Sequence, residues 1–68
     1  MNIETFAQIM ALLLVRDATT KRTRTWYFEA ASEYGKLFVE QKVFKSAVEW
    51  VNFINAFVDA IPTELIEE

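Results

Sequence analysis

The chain has no histidine and no cysteine, and it has one glycine and one proline in 68 residues. Without cysteine there is no disulfide and no thiolate nucleophile. Without histidine there is no imidazole acid–base chemistry, and the usual zinc sites lose both of their ligand types. A single glycine, Gly35, excludes a glycine-rich phosphate loop. The longest apolar run, Ile9 to Val15, is seven residues, against roughly 20 for a membrane-spanning helix. No Lys or Arg precedes Arg16 and Glu4 lies near the start, so no secretory signal is expected. A cysteine-free small domain relies on its core alone and suits a reducing compartment, which makes the expected location cytoplasmic.

Apolar residues are abundant instead. They make up 53% of the chain and include six Phe, two Trp and two Tyr. A domain this small buries only about 60% of its unfolded surface. Apolar side chains are therefore expected to overfill the core and reach the surface, where they call for a partner. The net charge is −3, which argues against bulk nucleic-acid binding. The charge is also uneven. Arg16, Lys21, Arg22 and Arg24 lie close together, whereas the end of the chain carries Asp59, Glu64, Glu67 and Glu68. Such asymmetry can steer a partner or pair one copy with another.

Periodicity predicts a single α+β domain over 1–68 with the order helix, strand, strand, helix. Asn2 is a good N-cap for a helix over 3–17, with Ile3, Phe6, Ala7, Met10, Leu13 and Leu14 on one face. Ile9, Leu12 and Val15 widen that face, so the helix reads as apolar on two sides. Thr, Trp, Tyr and Phe favour strands, and residues 21–31 and 36–44 read as a hairpin turning at Gly35. Ser46 and Glu49 have the capping-box spacing and open a helix over 46–61. Its stripe includes Trp50, Ile54, Phe57 and Val58, and Pro62 ends it. Residues 62–68 read as an acidic turn with Leu65 and Ile66 tucked inward. Both helices are expected on one face of the antiparallel hairpin. Two open strand edges would invite a second copy to extend the sheet into a homodimer.

The stretch Lys21-Arg22-Thr23-Arg24-Thr25-Trp26-Tyr27-Phe28 is the most informative for binding. Basic residues beside aromatic rings hold single-stranded nucleic acid, with cations on phosphates and rings on bases. The same residues form the rim of an ordinary core, and Trp, Tyr and Arg are also the types that anchor protein partners. The candidate partner-binding residues are Arg22, Arg24, Trp26 and Tyr27, together with Phe53, which sits off the main stripe of the last helix. The outer face of the first helix is a further candidate surface. No catalytic, cofactor-binding or metal-binding set emerges. Ser32 and Ser46 have turn and cap roles and no base to activate them, and the carboxylates fall in turns and the tail. The expected function is that of a non-enzymatic protein-binding modulator or inhibitor, needing no cofactor. Phage and mobile-element accessory proteins that act stoichiometrically on a host protein are of this size and style. The alternative is a single-stranded nucleic-acid module using Lys21 to Arg24. No membrane association is expected.

Overall fold

A computed structural model describes residues 2–67. Glu68, part of the expected C-terminal turn, lies outside them. The elements are α1 (Ile3–Val15), β1 (Arg22–Thr23), α2 (Arg24–Glu40), α3 (Ala47–Asp59), a 3-10 turn (Thr63–Leu65) and β2 (Ile66–Glu67). This overturns the expected antiparallel hairpin with two helices on one face. The chain is a three-helix structure, and its only sheet among the described residues is a two-residue parallel pairing of β1 with β2. An edge-to-edge sheet dimer therefore has no long strand to build on.

The ends of α1 and α3 match their caps. Asn2 Oδ1 accepts a hydrogen bond from the Thr5 N–H at 2.7 Å. Ser46 Oγ accepts from the Glu49 N–H at 3.5 Å, and Glu49 Oε1 accepts from the Lys45 N–H at 2.5 Å. Each cap satisfies backbone donors that a helix start leaves unpaired.

Residues 24–40 form one helix because three local and packing effects agree. Thr23 Oγ1 accepts from the Trp26 N–H at 3.0 Å and so starts the helix. Tyr27, Ala31 and Gly35 are buried at i, i+4 and i+8, one stripe along a helix face; Trp26, Phe28 and Leu37, which do not fall on it, are exposed. The strand preference of Thr, Trp, Tyr and Phe is a preference for a half-buried surface, and α3 supplies one to a helix. The helix ends at Lys42, which takes a left-handed backbone conformation with φ 61°. The Lys42 N–H donates to Val39 O at 3.0 Å and the Val43 N–H donates to Phe38 O at 2.8 Å. That pair of bonds is a Schellman terminator.

Gly35 lies in mid-helix for a packing reason. A Cβ placed there would collide with the indole ring of Trp50 on α3. The missing side chain lets Trp50 lie against the α2 backbone, where its Nε1 is buried without a hydrogen-bond partner among the described residues.

The core centres on α3. Both α1 and α2 pack mainly on α3 rather than on each other. Phe53, fully buried, has ring neighbours Phe6 at 5.8 Å, Phe38 at 5.7 Å, Phe44 at 5.3 Å and Phe57 at 5.8 Å. Phe6 also meets Phe38 edge-on at 5.0 Å. Such tilted and edge-to-face pairs add to the stabilisation from burial alone. The contacts Phe38–Phe53 and Tyr34–Phe57 show that α2 runs antiparallel to α3. The fully buried Ala7 and Ala11 give α1 a flat inner face. After α3 the chain folds back. Ile66 is buried, its strand pairs with β1 in the register Arg22 to Ile66 and Thr23 to Glu67, and the Tyr27 hydroxyl donates to Leu65 O at 2.9 Å.

Two predictions follow from this core. Phe53→Ala is expected to cost about 3–5 kcal/mol, which for a domain of this size means no cooperative thermal transition; a melt with a preserved sharp transition would contradict the hub. The glycine exchange has a diagnostic sign. Lys42→Gly should raise the melting temperature, because a left-handed residue with a Cβ costs about 1 kcal/mol. Gly35→Ala, which normally gains about 1 kcal/mol in a helix, should lower it here.

Candidate partner-binding surface

Two surfaces can receive a partner, and neither is the one a hairpin would present. The first is the outer side of α1. The inner stripe of this helix is Ala7, Ala11 and Val15. Geometry at 3.6 residues per turn then places Ile9, Leu12 and Leu13 on the opposite side. They are 43%, 54% and 56% exposed. Leu13, expected on the core face, points out because Met10 and Leu14 fill the α1 flank beside the core. Apolar side chains that adjoin at i, i+3 and i+4 form a stripe rather than scattered single exposures.

The second surface is the start of α2. Arg22 lies on β1 and Trp26 in the first turn of the helix, and the Arg22 guanidinium stands over the Trp26 ring with its carbon 4.9 Å from the ring centre. That distance is a cation–π contact. The Trp26 ring also meets Tyr27 edge-on at 5.2 Å. Trp26 keeps 38% of its surface exposed. Below the pair is a cleft of 330 Å³. Its walls are Leu14 and Val15 from α1, Asp17, Ala18, Thr19 and Thr20 from the connecting loop, and Arg22, Trp26 and Tyr27. The lining Asp17 forms an exposed ion pair with Arg16 at 3.5 Å. Among the described residues Arg22 has no carboxylate in salt-bridge reach.

The five candidate residues are thus divided. Arg22 and Trp26 act together, and Arg24 is exposed in the first turn of α2. Tyr27 is 1% exposed and ties α2 to the C-terminal segment through its hydroxyl, while Phe53 is the centre of the core. Phe53 cannot touch a partner without unfolding; Tyr27 borders the cleft but leaves too little of its ring open to stack a base. Missed by the sequence reading were Leu13 as an outward residue, Phe28 as an exposed ring, and the loop residues Thr19 and Thr20 as cleft walls. Helical phasing of α2 would have exposed Phe28; nothing in the sequence signals the cleft.

A third concavity, of 390 Å³, lies between α1 and α3, where Glu4 and Gln8 face Asn52, Asn55 and Asp59 over Ala56. Its walls are mostly polar, and Asn52, Asn55 and Asp59 lie on the exposed side of α3. Among the described residues no group of three Asp or Glu is placed to hold a metal ion, and no helix is long and apolar enough to cross a membrane. No family model, curated protein or solved structure matches the chain.

Proposed function

We propose that the protein is a non-enzymatic, protein-binding modulator or inhibitor that self-associates reversibly into a homodimer through the outer face of α1. The observation that carries this reading is the Ile9, Leu12 and Leu13 stripe, half exposed in a chain whose core already holds four buried aromatic rings with four more packed against them. Fully burying such a side chain is worth about 1.5–3 kcal/mol, so half as much remains to be gained at each. Six of them across a two-fold axis contribute about 5–9 kcal/mol, against an association cost of about 4–15 kcal/mol. The dimer is therefore weak and concentration-dependent.

A weak self-contact has a functional consequence. The same face stays available to a target that offers a larger apolar surface, so self-association stores the surface and target binding releases it. Absence of histidine and cysteine supports a role in binding rather than chemistry, and a cysteine-free core fits action in the cytoplasm. Stoichiometric action on a host protein, in the manner of phage and mobile-element accessory proteins, fits a chain of this size.

Light scattering after gel filtration, run from about 10 μM to about 1 mM, tests the reading in a range bracketed by the affinity arithmetic above. The mass should rise from the 7.9 kDa monomer toward twice that value. The Leu12→Glu and Leu13→Glu chains should stay monomeric throughout with an unchanged melting temperature. A wild-type chain that remains monomeric at the highest concentration contradicts the dimer.

A further inference from the structure

We propose that the segment Thr63 to Glu67 is a detachable strap over a strand-docking groove, and that an extended segment of the partner protein, with two successive aliphatic residues in the place of Leu65 and Ile66, displaces it. The proposal rests on the protein-binding reading but uses a covered site in place of the exposed α1 stripe.

The groove is defined by what already fills it. Ile66 is buried and Leu65 is half-buried beside it. The strap pairs with β1 in parallel, Arg22 with Ile66 and Thr23 with Glu67. The Tyr27 hydroxyl donates to Leu65 O at 2.9 Å. Main-chain pairing along a strand edge, with a pocket for one side chain, is how many domains capture extended segments of other proteins. The pairing and the hydroxyl bond both go to backbone, so any chain with an aliphatic pair at these positions can make them. The side chains of Glu64 and Glu67 are exposed, so charge is not what the groove selects.

The strap can leave without disturbing the three helices. Helix α3 ends at Asp59, and the buried Ile61 keeps the turn after it in the core. Pro62 follows with φ −58° and ψ 137°, and the strap begins beyond it. The Leu65 N–H donates to Pro62 O at 3.0 Å, so part of the strap's hydrogen bonding is local. A two-residue parallel pair adds little stability of its own. One buried aliphatic side chain and a few hydrogen bonds of modest net worth oppose the entropy of ordering the whole strap. These terms are of similar size, so the closed and open forms lie close in free energy. Opening removes the acceptor of the Tyr27 hydroxyl and empties the Ile66 pocket, and an incoming segment restores both.

The probe is the capped pentapeptide Thr-Glu-Leu-Ile-Glu, a copy of the strap, titrated into the full chain labelled with nitrogen-15. It should shift the Arg22, Thr23 and Tyr27 amides in a saturable way, while Leu65, Ile66 and Glu67 move to the positions of a free segment. Thr-Gln-Leu-Ile-Gln should bind equally well, and Thr-Glu-Leu-Asp-Glu should not bind. The strap lowers the apparent affinity by the open fraction, at most about 10%. Ile66→Asn, which removes the strap's anchor, should therefore tighten peptide binding at least about tenfold. A locked chain gives the converse and does not depend on that variant folding. The protein has no cysteine, and Thr23 and Glu67 are register partners on adjacent strands, a separation that a disulfide spans. The Thr23→Cys, Glu67→Cys chain should refuse the peptide when oxidised and accept it when reduced. Both forms lack the Thr23 cap, so only the lock differs. Binding to the oxidised chain would place the peptide elsewhere and overturn the proposal. So would an absence of binding, at millimolar peptide, to the wild-type and reduced chains alike. Neither result touches the concentration-dependent mass that tests the α1 dimer, so the two readings fail separately.

Discussion

The packing of one ring, Phe53, determines how the rest of the molecule is arranged. It is fully buried and touches rings from α1, from α2, from the connection before α3 and from α3 itself. Four aromatic neighbours around one side chain bury most of the large apolar groups that a chain of this size can enclose. Because Phe53 lies on α3, both other helices must come to that helix. Their remaining sides are then left to solvent, and no further layer exists to cover them. The outward position of Ile9, Leu12 and Leu13 follows from this geometry rather than from any special property of α1.

The same constraint explains the fold-back at the C-terminus. The connection between α1 and α2 and the start of α2 lie at the far end from the ring cluster. There the chain is tied by smaller devices: the two-residue parallel pairing, the buried Ile66 and the Tyr27 hydroxyl bond to Leu65. A buried Tyr hydroxyl needs a partner, and the C-terminal segment provides it. The tie also holds Arg22 and Trp26 in place beside their cleft. The region that presents charge and an open ring is thus the part of the molecule least governed by the central core.

Much of this was legible in the residues. Helices α1 and α3 follow from Asn2 and Ser46 as caps and from stripes of period 3.6, and both lie where the pattern puts them, within two residues at each end. The fold around them was misread in α2 for a physical reason. Thr, Trp, Tyr and Phe are strand formers by statistics, and Gly35 is the only glycine, so a turn there was the simplest assignment. The left-handed residue is instead Lys42, and the glycine makes room for the Trp50 ring. Both facts depend on where a distant helix lies, which local sequence does not encode. The candidate site divides along the same line. Arg22 and Trp26 remain at the surface in either reading, because they begin the element. Tyr27 and Phe53 are large rings whose exposure depends on how α2 and α3 face each other, and packing turned both inward.

Residue-resolved amide hydrogen exchange tests the central claim most directly, since it reports which backbone groups are bonded and which part of the molecule opens last. The account predicts a continuous protected block from about Phe28 to Val43, slowest exchange in α3 around Phe53 to Val58, and intermediate protection at the β1–β2 tie. A break in protection at Gly35, with residues 21–31 and 36–44 protected at every second position, would restore a hairpin and contradict both the helical core and the surfaces derived from it.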